Sequence, residues 1–215
     1  RIREEGLKVV GVPTSSRTAE LARQVGVPIT TLDEAKWLDL TIDGADEFDP
    51  NLALIKGGGA ALLQEKIVAT ASDQMIVIAD AAKEVEQLGA FPLPVEVIPF
   101  GWQTTKALIE ETLVSLDVLN RDCSLRMNGS KPLMTDESNY IIDLHLKRIG
   151  NPRQLALVLN QIPGVVENGL FIDICDIVVI GHGDGRVTVR DINAGSETDD
   201  FVEFKPSDNI FADME

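Results

Sequence analysis

An apolar segment of this chain ends at an acidic residue, and three consecutive glycines follow a short distance later. The segment, Leu38 to Ile42, leads directly into Asp43, and the glycines Gly57 to Gly59 precede a segment rich in helix formers, residues 60–69. A strand end, a glycine loop and a helix start are typical of the crevice of an open α/β sheet, where ligands bind beyond the carboxyl ends of the strands. We therefore expect an α/β fold with a functional site at this crevice.

Short apolar segments and helical patterns alternate through residues 1–80. This alternation predicts a parallel sheet with helices on both faces. Expected strands cover residues 8–10, 27–29, 38–42 and 74–80, and expected helices cover about residues 16–24 and the segment from the glycine loop to about residue 71.

The sequence Phe91-Pro92-Leu93-Pro94 interrupts this alternation, and the following segment has another order of elements. The patterns predict strands at 95–99, 124–127, 140–146 and 165–171, with helices at about 104–116 and 152–161. The order βαββαβ is that of a ferredoxin-like unit. A last pair of strands, residues 176–180 and 186–189, surrounds a glycine turn.

These patterns predict an open, mostly parallel Rossmann-like sheet with an inserted ferredoxin-like α+β domain. We assign residues 1–92 and 171–215 to the α/β domain and residues 93–170 to the insertion. The acidic end of the chain carries Gly, Ser and Pro, so residues 191–215 are expected to form a loosely held tail.

Composition excludes several classes of partner. A formal net charge of −16 argues against nonspecific nucleic-acid binding, which needs basic patches, and against attraction to anionic membrane surfaces. No apolar run approaches the ~18 to 20 residues needed to span a bilayer. Cys123 and Cys175 lack metal-ligand spacing, so we expect reduced thiols, a reducing compartment and no metal. A sugar phosphate remains compatible, because a few Lys residues and backbone N–H groups can hold one phosphate.

Glu65 is the leading candidate for a general base. It falls early in the helix that follows the glycine loop, where a partly desolvated carboxylate acquires a raised pKa suited to proton transfer. The alternative is a solvated glutamate on the helix surface beside Lys66. Spacing alone leaves both interpretations open.

Further candidates surround the same loop. Lys56 and the N–H groups of Gly57 to Gly59 could stabilise a developing oxyanion, although a surface lysine before a turn has the same sequence. Asp43 and Asp46 could orient sugar hydroxyls or serve as turn residues. Lys83 could meet a phosphate or pair with a neighbouring glutamate.

Several blocks of the chain, in order, resemble type A ribose-5-phosphate isomerase. The blocks are residues 43–47, 56–66, 91–99 and 162–171, together with Thr135-Asp136 before Asn139. The match runs from about Val9 to Val189. The resemblance implies interconversion of ribose 5-phosphate and ribulose 5-phosphate without a metal or organic cofactor, in the nonoxidative pentose phosphate pathway and, in photosynthetic cells, the Calvin cycle.

The resemblance also implies roles for individual residues. Glu65 becomes the base that moves a proton between C2 and C1 through a cis-enediolate, and Lys56 with the loop Gly57, Gly58 and Gly59 stabilises the charged oxygen. Asp43 to Asp46, including Gly44 and Ala45, would contact the sugar, with the two acids assisting ring opening. Lys83 would help hold the substrate. We expect a homodimer or homotetramer in the cytoplasm, or in the plastid stroma if a transit peptide precedes Arg1.

The chain departs from the family at its start, because the family's N-terminal phosphate-gripping glycine loop has no counterpart here. We therefore expect a further segment before Arg1. The main rival function is a noncatalytic sugar-phosphate sensor on the same fold, which needs the pocket but not the base. A coenzyme A transferase on a related fold is a second rival. The presence of both Lys56 and Glu65 favours the isomerase.

Overall fold

The structure, a computed structural model, describes residues 5–202. Its helices, in chain order, are α1 (Ser16–Val25), α2 (Leu32–Ala35), α3 (Leu62–Thr70), α4 (Trp102–Leu113) and α5 (Pro152–Leu159), with a 3₁₀ turn at Ala81–Lys83. In this part of the chain, no helix has the length and apolarity needed to cross a membrane.

The strands belong to four sheets. Those of the first half are β1 (Thr41–Asp43), β2 (Glu47–Phe48), β3 (Leu54–Ile55), β4 (Met75–Asp80), β5 (Leu93–Val97), β6 (Asp122–Leu125) and β7 (Met127–Asn128). The others are β8 (Lys131–Pro132), β9 (Tyr140–His145), β10 (Val165–Asn168), β11 (Leu170–Phe171), β12 (Ile177–Gly181), β13 (Arg186–Asp191) and β14 (Ser196–Phe201).

The largest sheet has the order β1-β4-β12-β13-β14. Strands β1, β4 and β12 are parallel to one another, whereas β13 and β14 are antiparallel additions. Because parallel strands end at the same edge, β1 delivers Asp43 and β4 delivers Asp80 to one side of the sheet. The predicted α/β fold, with its crevice at this edge, is confirmed.

The second sheet is antiparallel and has the order β10-β5-β9-β6. Numbered within the βαββαβ unit, this order is fourth, first, third, second, which is the ferredoxin-like arrangement. The largest buried apolar cluster includes residues from this sheet, from α4 and from α5, with Val95, Ile109, Ile142 and Leu155 among its members. The cluster also contains Ala53, Ile55 and Leu88 from outside the insertion, so the two units share this core.

A small third sheet, β11-β3-β2, connects the two units. Its strands bury Phe48 and Phe171 in a second apolar cluster together with Met75 and Val178 of the large sheet. Strand β11 includes residues on both sides of our predicted boundary at 170/171, and the exact domain limits remain a prediction. This sheet matters for function because Lys56 directly follows β3.

Two expected strands and the expected tail need correction. Residues 8–10 and 27–29 form no strands, and only an isolated bridge joins Gly11 to Ile29. Pro28 at that point has no N–H to donate, so a longer ladder cannot form there. The expectation of a loosely held tail from residue 191 is also wrong at its start, because β14 pairs with β13, where Arg190 contacts Glu197 and Thr188 donates to Asp199. Residues 203–215 lie outside the described residues.

Candidate active site

Lys56 is held by its backbone at the junction of the two units. Its N–H donates to the Gly169 carbonyl at 2.9 Å, and the Gly169 N–H donates to the Pro94 carbonyl at 2.8 Å. A Cβ at position 169 would overlap the Lys56 carbonyl oxygen, so only glycine fits. Sequence reasoning assigned no role to Gly169, although a glycine in one of the unusual blocks was a signal for such a close approach.

The ammonium group of Lys56 lies between two acids that come from different elements of the fold. Nζ lies 3.0 Å from Asp43 Oδ2 at the end of β1 and 3.2 Å from Glu65 Oε2 in the first turn of α3. It donates a hydrogen bond to the Gly44 carbonyl at 2.6 Å. Only 3% of the surface of Lys56 is exposed. The interpretation of Lys56 as a surface lysine is therefore wrong.

Two carboxylate oxygens at this cluster are buried without hydrogen bonds. Among the described residues, Asp43 Oδ2 and Glu65 Oε2 have no hydrogen-bond partner, although both lie in ion-pair contact with Lys56. Buried acceptors are normally satisfied, and exceptions in native proteins often mark functional atoms. These oxygens are thus free to accept hydrogen bonds from hydroxyl groups of a ligand.

Burial raises the pKa of Glu65, and the negative charges of Asp43 and Asp46 add to this effect. Lys56 opposes the increase but does not cancel it. A carboxylate with a raised pKa is a stronger base than an ordinary glutamate. The Glu65 side chain is 15% exposed, so the interpretation as a solvated glutamate on the helix surface is wrong.

The glycine loop closes the site on one side. The Gly58 N–H donates to Asp46 Oδ2 at 2.7 Å, and a Cβ at Gly58 would lie 2.6 Å from Asp46 Oδ1. Gly57 adopts a φ of +108°, a conformation available to glycine but rarely to other residues. The Gly59 N–H donates to no group in residues 5–202. Of the three expected anion donors, Gly58 is thus already engaged by Asp46.

These residues line a cavity of about 180 Å³. Its walls contain nearly all of the predicted site residues: Asp43, Gly44, Ala45, Asp46, Lys56, Gly57, Gly58, Gly59 and Glu65. Lys83 is the exception, since it lines a neighbouring cavity of about 440 Å³ with Asp80 and Gly181. Ala45 lines both cavities, so the two spaces adjoin.

Two charged residues of the blocks 43–47 and 56–66 do not line this cavity. Glu47 is buried and accepts hydrogen bonds from the backbone N–H groups of Gly89 and Phe91, which makes it a support for that turn. Lys66 contacts Glu167 of β10 at 2.9 Å. Within residues 5–202, no cluster of three or more His, Cys, Asp or Glu side chains could hold a metal ion.

Comparison with known proteins identifies the family to which this chain belongs. Residues 10–185 match the family model for ribose 5-phosphate isomerase A (phosphoriboisomerase A). Ribose-5-phosphate isomerase A of Ruegeria sp. (strain TM1040) is 75% identical over 213 residues, which are 99% of this chain and 81% of the relative.

Solved structures agree in fold. A D-ribose-5-phosphate isomerase in complex with phospho-erythronic acid has a TM-score of 0.80 and 42% identity, and the match covers 88% of this chain and 82% of that one. Ribose 5-phosphate isomerase A from Methanocaldococcus jannaschii has a TM-score of 0.80 and 39% identity, covering 89% and 82%. The chain therefore belongs to the ribose 5-phosphate isomerase A family of enzymes.

Proposed function

We propose that this site interconverts D-ribose 5-phosphate and D-ribulose 5-phosphate, with Glu65 as the base. The observation that carries the proposal is the buried Lys56 ammonium between two carboxylate oxygens that have no hydrogen bonds. A proton α to a carbonyl is removed most easily by a base beside a fixed positive charge that stabilises the resulting oxyanion. A sugar-phosphate sensor would need neither group at this position.

The proton transfer can be written for the open-chain aldose. Glu65 takes the proton from C2, a double bond forms between C1 and C2, and the carbonyl electron pair moves to O1. Lys56 stabilises this cis-enediolate. Glu65 then returns the proton to C1, while the proton of the C2 hydroxyl passes to O1, which leaves a ketone at C2. The route uses side chains alone and requires no metal or organic cofactor.

Asp43 and Asp46 are proposed to bind sugar hydroxyls. Asp43 Oδ2 lacks a hydrogen-bond partner among residues 5–202 and lies beside the Lys56 ammonium, so it can accept and return a hydroxyl proton during ring opening. Asp46 is oriented by the Gly58 N–H. Gly44 and Ala45 form the wall between these acids and allow the sugar to approach the backbone closely.

Lys83 is proposed to hold the distal end of the substrate. It follows β4 at the same sheet edge, and its cavity adjoins the catalytic one at Ala45. A lysine in the adjoining cavity can attract the phosphate of the substrate without touching the reacting carbons. Lys83→Met should therefore raise KM about 10-fold and change kcat much less. An unchanged KM would remove Lys83 from substrate binding.

The test of the function is isomerisation by the intact protein in deuterium oxide. We expect solvent deuterium to enter the ketose at C1, because the proton on Glu65 can exchange before its return. Glu65→Gln should lower kcat by roughly 10²- to 10⁴-fold, the usual effect of removing a general base. Glu111→Gln, at an exposed glutamate of α4, is the matched control and should be fully active. Full activity of Glu65→Gln would refute the assignment.

We also propose a homodimer or homotetramer that works in the cytoplasm, in the nonoxidative pentose phosphate pathway and, in photosynthetic cells, the Calvin cycle. Large apolar side chains on the surface, such as Phe100 at 89% exposure and Leu119 at 67%, support self-association. The free thiols Cys123 and Cys175 support a reducing compartment. A monomer mass from light scattering would contradict the proposed oligomer. Recovery of the protein outside the cytoplasm after cell fractionation would contradict the proposed location.

A further inference from the structure

Arg126 belongs to the inserted ferredoxin-like unit, yet its side chain reaches the catalytic glycine loop. It lies between β6 and β7, and its side chain is 14% exposed. Nε and Nη2 donate to the two carboxylate oxygens of Asp143 on β9. Nη1 donates to the carbonyl oxygens of Gly57 at 2.7 Å and Gly58 at 3.1 Å. The guanidinium group thus connects one partly buried carboxylate to two consecutive peptide carbonyls.

The orientation of these carbonyls determines where the loop's N–H groups point. The described peptides are all trans, so each N–H is directed opposite to the carbonyl of the same peptide unit. The carbonyls of Gly57 and Gly58 face Arg126, and the N–H groups of Gly58 and Gly59 therefore point away from it. The Gly58 N–H reaches Asp46 in the cavity wall, which identifies this direction as the cavity side.

We propose that Arg126, oriented by Asp143, is a positioning residue that keeps the glycine loop in its catalytic conformation. The loop contains three consecutive glycines, whose backbones have more conformational freedom than those of any other residue. Rotation of the Gly58–Gly59 peptide would turn a carbonyl oxygen toward the enediolate, where the partial negative charge of that oxygen would repel the oxyanion. The cation at the carbonyl side opposes that rotation and polarises the peptide, which strengthens its N–H as a donor.

Only arginine satisfies this geometry. Its planar fork offers two N–H groups to the carboxylate and a further nitrogen to the carbonyls, whereas a lysine ammonium is a single point on a flexible stem. The contact also assigns a task to the inserted unit: β6 and β9 hold the pair that orders a loop of the other unit. The inference rests on the proposed isomerase function, because it concerns the oxyanion that forms in that reaction.

The experiment is steady-state kinetics on variants of the intact protein. Arg126→Met with Asp143→Leu removes both charges and leaves no unpaired, partly buried carboxylate. We expect kcat to fall roughly 10- to 100-fold, as is usual for a misplaced catalytic group, with KM for ribose 5-phosphate within about 3-fold of the original value. Phospho-erythronic acid carries a carboxylate where the aldose has a neutral carbonyl, so its inhibition constant should rise by a factor similar to the loss in kcat.

Arg148→Met is the matched control, because Arg148 forms an ion pair with Asp117 in the same inserted unit, away from the glycine loop. It should keep kcat and the inhibition constant unchanged. If the double variant does not fold, Arg126→Lys decides the matter, since it keeps the charge but loses the fork; a similar loss of kcat is expected. Full activity of the folded double variant, or of Arg126→Lys, would overturn the proposal.

Hydrogen exchange separates positioning from general stability. We expect faster amide exchange in residues 57–61 of the Arg126 variant, with the rest of the inserted unit unchanged. Uniformly faster exchange with an unaltered kcat per folded molecule would show a purely structural role. Failure of the isomerase function itself would be recognised separately, because the unsubstituted protein would then show no deuterium entry at C1.

Discussion

Helix α3 carries two adjacent charged residues that belong to two different Lys–Glu pairs. Glu65 contacts Lys56 at the wall of the cavity, and Lys66 contacts Glu167 of β10. Both ammonium groups lie over the ring of Phe171, with Nζ at 5.5 Å from the centroid for Lys56 and at 4.9 Å for Lys66. The two pairs therefore have the same chemistry, similar burial and a shared aromatic neighbour.

The pairs differ in the number of hydrogen bonds that the carboxylate accepts. Glu167 Oε1 accepts from Lys66 at 2.9 Å, from Asn160 at 2.9 Å and from the Asn168 N–H at 2.8 Å. Burial opposes ionisation of Glu167, but Lys66 and these donors outweigh it and lower its pKa. Glu65 has no comparable donors and two acidic neighbours, so its pKa is raised. The number of hydrogen bonds that the carboxylate accepts, more than burial or pairing, distinguishes the Lys66–Glu167 pair from the Lys56–Glu65 pair that we propose to be reactive.

Replacement of each lysine should give the largest difference between the two pairs. Lys56→Met should lower kcat by roughly 10²-fold or more, because the charge that stabilises the oxyanion is lost. Lys66→Met should keep kcat within about 3-fold and instead lower the free energy of unfolding by about 1 to 3 kcal/mol, since it leaves Glu167 partly buried and unpaired. Kinetics and denaturant unfolding of both variants measure the two effects. Equal losses of kcat would contradict the distinction.

The pH dependence of activity tests the raised pKa of Glu65. The base must be ionised, so kcat/KM should fall as the pH decreases through the pKa of Glu65, at a higher pH than the ordinary glutamate value of 4.5. Asp43→Asn should move this limb to lower pH, because the Asp43 charge contributes to the raised pKa. A limb that stays in place, whatever the residual activity, would show that Asp43 does not act on Glu65.

The smallest expected effect concerns the stability supplied by Glu167. Its folded-state pKa is lowered, so its ionisation stabilises the fold above the unfolded value, near 4.5, and this contribution is lost as the pH falls through the folded-state pKa. Glu167→Gln should thus cost about 1 to 2 kcal/mol at neutral pH and nothing in stronger acid. Denaturant unfolding at a series of pH values provides the measurement, and a pH-independent difference would contradict the assignment.

Local sequence patterns were sufficient for most of the fold. Helix α1 follows the N-cap Ser15 and ends at Gly26 in the left-handed conformation, as the capping residues predict. The alternation of strands and helices predicted the parallel strands, and the βαββαβ order predicted the antiparallel sheet. The polar strand β14 could not be predicted, because its pairing depends on charges of β13 that lie across the turn and not on apolar alternation.

The sequence by itself determined which residue types meet at the crevice, because Asp43 ends a strand and Glu65 begins a helix after the glycine loop. Local pattern alone left Lys56 between a site residue and a surface lysine, and Asp43 between a sugar contact and a turn residue. Tertiary structure decided where the charged side chains lie: Lys56 is buried between Asp43 and Glu65, Lys66 pairs with Glu167, and Glu47 accepts from the turn at Gly89. Catalytic character depends on burial and on unsatisfied donors or acceptors, and these are properties of the packed chain.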